Sequence, residues 1–168
     1  MEKIGLFYGT NAVKTAKIAE KIQKHFGDFK VEIVSVDEVT QSDFQAYNNL
    51  IFGASTWFDG ELPAYWEEAL PELTDLKMDG KKVAIFGLGN QVDFSENFVD
   101  GIGILAEIVE TAGAEIVGLT NSDGYSFEKS KALRNGKFLG LAIDQENQSQ
   151  KTDERIRNWV EQLKTEFI

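Results

Sequence analysis

The chain has 168 residues, of which 42% are hydrophobic, with a formal net charge of −11 and no cysteine. This length and apolar content suffice for one domain with a sizeable core, so we expect a single domain over residues 1–168. The absence of cysteine excludes disulfides, thiol catalysis and cysteine-bound iron–sulfur clusters, and the single histidine, His25, argues against a zinc site.

Five apolar runs predict β-strands, and amphipathic patterns between and after them predict helices. The strands are expected at Ile4–Tyr8, Val31–Val36, Asn49–Ala54, Lys82–Phe86 and Glu115–Leu119. Helices are expected at residues 14–26, 64–74, 98–112 and 152–166. Strands that alternate with amphipathic helices predict an α/β fold, with a parallel sheet that helices cover on both faces.

The segment Gly9–Thr15, after the first strand, has the character of an anion-binding loop. It leads from a buried strand directly into a helix, whose free N–H groups and positive dipole end attract anions. The hydroxyls of Thr10 and Thr15 are candidate additional donors, although both residues are also compatible with ordinary helix caps. Ala12 and Val13 occupy the middle of the loop, where a good phosphate cradle would carry a hydroxyl and a glycine.

Three loops are expected to meet at one edge of the sheet, because ligands of open parallel sheets bind beyond the carboxyl ends of the strands. These loops are Gly9–Thr15, Ala54–Gly60 and Gly87–Asn97. The second loop carries Trp57 and Phe58, and the third carries Phe94 among glycines. We predict a site for a phosphorylated planar ligand whose ring lies between Trp57 and Phe94. The alternative for these two aromatic residues is a place in the core.

The interval Thr120–Gly140 interrupts the alternation of strands and helices. It contains two turn signals, Asp123-Gly124 and Asn135-Gly136, and the apolar run Phe138–Ile143 begins near its end. We interpret the interval as an insertion that splits the fifth strand, which Phe138–Ile143 then completes.

The negative charge is unevenly distributed, since no Lys or Arg occurs from Val31 to Leu76 or from Val83 to Glu128. Such a field disfavours nucleic acid and anionic membranes and favours a basic protein partner, although a generic acidic surface is the simpler alternative. No apolar run approaches the roughly 18 residues of a membrane span, and no signal-peptide pattern is present. We therefore expect no membrane insertion and a cytoplasmic location.

Motifs along essentially the whole chain resemble those of the flavodoxins, and specifically of their long-chain branch. They are Ile4–Thr10 leading into Lys14-Thr15, Ser55–Trp57, Gly60–Leu62, Phe86-Gly87 with Gly89, Ser95–Phe98, Ser122–Tyr125, Ser130–Phe138 and Asp144–Ser149. The resemblance implies a flavodoxin-like α/β fold, with a five-stranded parallel sheet in the order 2-1-3-4-5 and a long-chain insertion that splits strand 5. It also implies one non-covalent FMN and single-electron transfer between redox proteins, with a basic ferredoxin-type reductase or photosystem as partner.

The resemblance assigns FMN-binding roles to residues of the three loops and to one later position. The phosphate would contact Thr10, Asn11, Lys14 and Thr15. Trp57 and Phe94 would cover the two ring faces, and backbone groups near Phe58–Gly60 and Gly89–Asn90 would meet the ring edge. Glu146 would lie near the ribityl chain. The candidate cofactor-binding residues are Thr10, Asn11, Ala12, Val13, Lys14, Thr15, Ser55, Thr56, Trp57, Phe58, Gly60, Gly87, Gly89, Asn90, Phe94, Asn97 and Glu146. Acidic residues expected around the ring are Asp59, Glu61, Asp93, Asp144 and Glu146, which would keep the reduction potential low.

Two departures from the family pattern lie in the first loop. The family sequence Thr-x-Thr-Gly-x-Thr is replaced here by Thr10-Asn11-Ala12-Val13-Lys14-Thr15. Ala12 removes a hydroxyl whose bond to a charged acceptor is worth about 1.5–3 kcal/mol. Val13 would be strained by about 1–3 kcal/mol if the turn required positive φ there. We therefore expect weakened FMN binding.

The same departures leave other functions open. One alternative is a flavodoxin-like binding or regulatory module that has lost FMN. A flavin-dependent quinone reductase is a third, weaker hypothesis, because such enzymes need an open substrate pocket.

Overall fold

The computed structural model describes residues 1–168 and is built around a parallel β-sheet. Its strands include β1 (Ile4–Tyr8), β2 (Val31–Ser35), β3 (Asn49–Ser55), β4 (Lys82–Leu88) and β5 (Glu115–Val117). They lie in the order β2-β1-β3-β4-β5, as the resemblance implies. Because the chain moves from β1 to β2 on one side and returns to β3 on the other, the strand order reverses between β1 and β3. That reversal is where ligands of this class of sheet bind.

Helices cover both faces of the sheet, as predicted. They are α1 (Val13–Phe26), α2 (Gln41–Gln45), α3 (Ala64–Thr74), α4 (Asp100–Thr111), α5 (Gln145–Gln148) and α6 (Thr152–Glu166), with 3-10 turns at Val36–Glu38 and Ser149–Lys151. On one face α1 and α6 bury residues such as Ile18 and Trp159, and on the other α3 and α4 bury residues such as Trp66 and Ile102. None of these helices combines the length and apolarity that crossing a bilayer requires.

The fifth strand is split, as expected, and its two halves pair with successive parts of β4. The first half, β5, aligns Glu115 with Lys82, and the second half, β9 (Leu141–Ile143), aligns Leu141 with Phe86. The first half is shorter than predicted because Gly118 adopts φ +76°, which ends the extended backbone.

The prediction that Phe138 belongs to the completing strand is wrong. Phe138 lies in β8 (Lys137–Phe138), which pairs antiparallel with β6 (Thr120–Asn121) and β7 (Leu133–Arg134) in a small separate sheet. The reason is aromatic packing inside the insertion, where the Phe138 ring centroid is 5.1 Å from that of Tyr125 and 6.0 Å from that of Phe98. The apolar run Phe138–Ile143 is therefore divided between two sheets, with Phe138 in the small sheet and Leu141–Ile143 in the main one.

The insertion is fixed on the start of α4. The Lys131 N–H donates to Oδ1 of the buried Asp100 at 2.7 Å, and the Phe98 N–H donates to the Lys129 carbonyl at 3.2 Å. The backbones approach so closely that a Cβ on Gly103 would overlap the Lys131 carbonyl. Because α4 follows the loop that carries Phe94, the insertion supports one wall of the predicted site.

Candidate functional site

The first loop presents free donors at the start of α1. Its N-cap is Ala12, with φ −82° and ψ 93°, and no side chain caps the helix. The Ala12 N–H closes the turn by donating to the Gly9 carbonyl at 2.9 Å, whereas the N–H groups of Val13, Lys14 and Thr15 donate to no protein acceptor. Free N–H groups and the positive dipole end make this helix start an anion site.

Val13 does not strain the loop, because the turn does not require positive φ at this residue. Val13 is the first residue of α1, and the non-glycine residues with positive φ are Phe58, Val99 and Asn135. The Val13 side chain is 65% exposed and therefore does not fill the turn. Of the two departures in the loop, the missing hydroxyl at Ala12 is the one with a physical cost.

The two threonines of the loop face different ways. Thr10 Oγ1 lies 3.1 Å from Oγ of Ser35, and the Ser35 hydroxyl donates to Asp37 at 3.2 Å, so the Thr10 side chain points toward the end of β2. Thr15 is 1% exposed and lines the cleft described below. Neither threonine caps α1, which removes the helix-cap alternative.

The second loop is a tight turn that holds Trp57 at the surface. Trp57 and Glu61 exchange two backbone hydrogen bonds, both 2.7 Å, around Phe58–Gly60. Phe58 has φ +46° and Gly60 has φ +89°, and a Cβ on Gly60 would meet Asp100 Oδ2 at 2.6 Å. The Trp57 side chain remains 40% exposed, so it is available to a ligand and is not part of the core.

Asn97 braces the same turn from the third loop. Its Nδ2 donates to the Asp59 carbonyl at 3.3 Å and to Asp100 Oδ2 at 3.2 Å. This places Asn97 behind the turn, where it holds the backbone in position.

The third loop folds around the Asn90 side chain. Asn90 Oδ1 accepts from the N–H groups of Val92 and Asp93 at 3.1 and 2.9 Å, and from Nδ2 of Asn147 at 2.8 Å. Phe94 is left 56% exposed at the end of this loop. The amide of Asn90 is thus used within the loop, which fixes the positions of Gly89 and Phe94 relative to α5.

Asp144 ties the third loop to α5 and is not part of an acidic rim, contrary to the sequence expectation. It is fully buried, and its carboxylate accepts from the backbone and side-chain nitrogens of both Gln91 and Asn147 at 2.8–3.2 Å. Burial favours the neutral form, but hydrogen bonds from Gln91 and Asn147 outweigh it and lower the pKa of Asp144. Asp59, Glu61, Asp93 and Glu146 are exposed, as expected.

The three loops and α5 enclose one cleft of about 430 Å³, a volume typical of small-molecule sites. The predicted residues that line it are Ala12, Val13, Lys14, Thr15, Ser55, Thr56, Trp57, Gly89, Asn90, Phe94 and Glu146. Leu88, at the end of β4, also lines the cleft; its place before Gly89 was the one sequence signal that could have indicated it. The predicted residues outside the cleft wall are Thr10, Asn11, Phe58, Gly60, Gly87 and Asn97.

An ion pair spans the cleft. Lys14 Nζ donates to Glu146 Oε1 at 2.7 Å, and this hydrogen bond raises the pKa of Lys14. The side chains are 74% and 42% exposed, so the pair lies at the mouth of the cleft. The pair connects the anion loop to α5.

Free N–H donors of α1 and the exposed rings of Trp57 and Phe94 line the same cleft, which fits a phosphorylated planar group. A doubly wound parallel sheet with such a cleft at its strand-order reversal defines an α/β nucleotide-binding protein.

Comparison with known proteins gives the family. The flavodoxin family model matches residues 6–159. A flavodoxin of Nostoc sp. (strain PCC 7120) is 49% identical over 99% of this chain and 98% of its own, and one of Trichodesmium erythraeum is 48% identical over 99% of each. The crystal structure of Fusobacterium nucleatum flavodoxin bound to flavin mononucleotide superposes with a TM-score of 0.95, at 37% identity over 100% of both chains. The chain belongs to the flavodoxin family.

Proposed function

We propose that this chain carries single electrons between redox proteins on one non-covalently bound FMN. The observation that carries the proposal is the cleft at the β1–β3 reversal, where free N–H groups of α1 lie beside Trp57 and Phe94. It is supported by full-length similarity to flavodoxins, one of them solved with flavin mononucleotide bound.

The residues proposed to hold the phosphate are those at the start of α1. The N–H groups of Val13, Lys14 and Thr15 point out of the helix start without acceptors, and Thr15 is one of the residues that line the cleft. The Thr10 hydroxyl contacts Ser35, so Thr10 and Asn11 are proposed to contribute through their backbone rather than their side chains.

The ring is proposed to lie between Trp57 and Phe94, which expose apolar faces at the cleft. Stacked aromatic contacts contribute about 0.5–1.5 kcal/mol beyond burial. Backbone groups of Phe58–Gly60 and Gly89–Asn90 are proposed to meet the ring edge, and Gly87 and Asn97 to support these two loops. Glu146 is proposed to lie beside the ribityl chain. Bound FMN supplies the one-electron chemistry, and the two aromatic residues shield it from water.

We also propose that FMN binds more weakly here than in relatives with a threonine at the position of Ala12. One hydroxyl donor is absent, and the Ala12 N–H is used to close the turn. The loss of a charge-assisted bond corresponds to about one to two decades in affinity. No specific structural observation favours the alternative of a module without FMN, since Val13 leaves the loop open.

The partners are redox proteins, and we propose that they dock through basic surfaces, as a ferredoxin-type reductase or a photosystem subunit would. Support comes from Asp59, Glu61 and Asp93, which are exposed on the loops carrying Trp57 and Phe94. Opposite charges raise association rates and make them sensitive to ionic strength. Nucleic acid is an unsuitable partner for a chain of net charge −11, and we propose a cytoplasmic location.

The test is the flavin content and the electron-transfer activity of the purified protein. One FMN per chain is expected, together with electron transfer from a ferredoxin–NADP reductase to cytochrome c that depends on the protein and slows at high salt. A protein that neither retains FMN nor binds it on titration would contradict the proposal.

A further inference from the structure

A chain of hydrogen bonds leads from the anion loop to a carboxylate beyond β2. Thr10 Oγ1 lies 3.1 Å from Ser35 Oγ, and the Ser35 hydroxyl donates to Asp37 Oδ2 at 3.2 Å. The parallel register of β1 and β2 aligns Ser35 with Tyr8, which brings the end of β2 beside the loop that begins at Gly9. The side chain of the loop threonine is thus linked to a negative charge on a different segment.

The direction of these bonds follows from the number of protons available. An ionised carboxylate only accepts, so the single hydroxyl proton of Ser35 is used on Asp37. The Ser35 oxygen therefore accepts from Thr10, and the one proton of the Thr10 hydroxyl is used in turn. In this arrangement the Thr10 side chain has no proton left to donate to a phosphate.

The acceptor end of the chain is held in place by the core. Ser35 is half-buried at the end of β2, and its neighbour Val36 is buried among the core residues. The 3-10 turn Val36–Glu38 carries Asp37, so the carboxylate is attached to a fixed segment. Thr10, in contrast, lies in an exposed turn, and its bond to Ser35 opposes rotation of its side chain between staggered rotamers.

The turn that contains Thr10 leads directly into the anion site. The free N–H groups of residues 13–15 follow it at the start of α1. In the same segment, the Lys14 ammonium group is paired with the Glu146 carboxylate. Two side-chain donors of the loop are therefore bound to carboxylates of the protein, Lys14 directly and Thr10 through Ser35.

We propose that Ser35 and Asp37 are positioning residues that hold the Thr10 hydroxyl away from the phosphate of FMN and so lower the affinity for the phosphate group. The inference rests on the proposed function, because it concerns the same site. It makes the affinity depend on two residues outside the three cleft loops and α5. Removing the Ser35 oxygen frees the Thr10 proton for donation to the phosphate.

The experiment compares FMN with riboflavin, which has the same ring and ribityl chain but no phosphate. Apoprotein is titrated with each, following flavin fluorescence, for the wild type and for Ser35→Ala. The variant is expected to bind FMN about three- to tenfold more tightly, because a charge-assisted hydrogen bond from Thr10 is gained. Its riboflavin affinity should stay within about twofold of the wild-type value, since riboflavin offers no phosphate.

The double variant with Thr10→Val tests whether the gain acts through Thr10. In the wild-type background, Thr10→Val is expected to change FMN affinity by less than about twofold, because the hydroxyl donates to Ser35. In the Ser35→Ala background, the same change should cancel the gain. A merely structural effect of Ser35→Ala would persist without the Thr10 hydroxyl.

Two further variants are controls. Ser35→Thr keeps the hydroxyl that accepts from Thr10, and it should leave the ratio of FMN to riboflavin affinity at its wild-type value. Asp37→Asn removes the charge but keeps an oxygen that accepts from Ser35. Its gain in FMN affinity should therefore be smaller than that of Ser35→Ala, and it should disappear at high salt.

An unchanged or weaker FMN affinity in Ser35→Ala, equal gains for FMN and riboflavin, or a gain that survives Thr10→Val would each overturn the inference. A full gain in Asp37→Asn with none in Ser35→Ala would also overturn it, because charge alone would then account for the effect. These outcomes leave the proposed function intact, because that function is tested separately by FMN binding to the wild-type protein.

Discussion

Lys14 and Glu146 pair across the mouth of the cleft, with Nζ of the lysine 2.7 Å from Oε1 of the glutamate. One residue belongs to the first turn of α1 and the other to α5, which follows the insertion. A lysine beside an anion site is thus neutralised by a carboxylate across the cleft. The Glu146 carboxylate therefore lessens the attraction between Lys14 and a phosphate bound at the start of α1.

Glu146→Gln is expected to strengthen FMN binding. The change removes the negative charge that neutralises Lys14, and because exposed ion pairs are weak the gain should not exceed about fivefold in affinity. FMN titrations at low and high salt provide the measurement, and the gain should shrink at high salt. Glu67→Gln changes net charge equally on the exposed side of α3 and should leave affinity unaltered. A weaker complex in Glu146→Gln would show that the carboxylate contacts the cofactor favourably.

Ala12→Thr and Val13→Gly are expected to differ in their effects on FMN affinity. The threonine restores a donor to the phosphate and should tighten FMN binding about tenfold, because a charge-assisted hydrogen bond is regained. The glycine should change affinity by less than about twofold, since Val13 lies in regular helix and is 65% exposed. The measurement is the FMN dissociation constant of each single variant, with riboflavin as the control for the phosphate. Equal gains from both changes would mean that Val13 distorts the loop after all.

Phe58→Gly is expected to stabilise the apoprotein. Phe58 has φ +46° and a side chain that is 74% exposed, so glycine relieves backbone strain and gives up little burial. The free energy of unfolding in urea should rise by about 0.5–1 kcal/mol. This is the backbone strain that glycine relieves, minus the conformational entropy that glycine adds to the unfolded chain. Phe58→Ala removes the same ring but keeps the strain, and it should show no gain. The idea fails if the glycine variant is no more stable than the alanine variant.

Asp144→Asn is expected to destabilise the apoprotein at neutral pH by about 1–3 kcal/mol. The asparagine would present an amide donor to nitrogens of Gln91 and Asn147 that now donate to the carboxylate. The pKa of Asp144 is lowered on folding, so its stabilisation is fully present above the ordinary aspartate pKa of about 3.9 and is lost as pH falls through the folded value. The free energies of unfolding in urea of wild type and Asp144→Asn should therefore converge as the pH falls across this range.

The control for this prediction is Asp28→Asn, an exposed aspartate after α1, which should stay within about 0.5 kcal/mol of wild type. A constant difference between Asp144→Asn and wild type at all pH values would contradict the assignment of the effect to the buried carboxylate.

Much of the fold was predictable because its elements carry strong local patterns. The limits 64–74 and 152–166 for α3 and α6 agree with the structure. In each helix a tryptophan marks the apolar face at helical spacing with another apolar residue, Trp66 with Ala69 and Trp159 with Leu163. The small sheet of the insertion was missed because two-residue strands have no detectable alternation. Phe138 was misplaced for a related reason: an apolar residue near a strand end does not reveal which of two sheets buries it.

The cleft itself was predictable only in part. Loops at the carboxyl ends of strands and their aromatic residues follow from the strand pattern, and two of these residues, Trp57 and Phe94, line the cleft in the structure. The sequence could not show that Thr10 turns to Ser35 or that Asp144 is buried, because both depend on contacts between distant segments.

The close approach of the insertion to α4 bears on any attempt to shorten this protein. The missing side chain at Gly103 leaves room on α4 for the main chain at Lys131. The N–H of the same Lys131 donates to the buried Asp100 carboxylate. Excising residues 120–140 would expose this surface of α4 to water and remove the N–H that donates to Asp100 Oδ1, leaving the carboxylate with Asn97 alone. A trimmed version would therefore need larger side chains on α4 and a neutral residue in place of Asp100 before it could fold around the same cofactor.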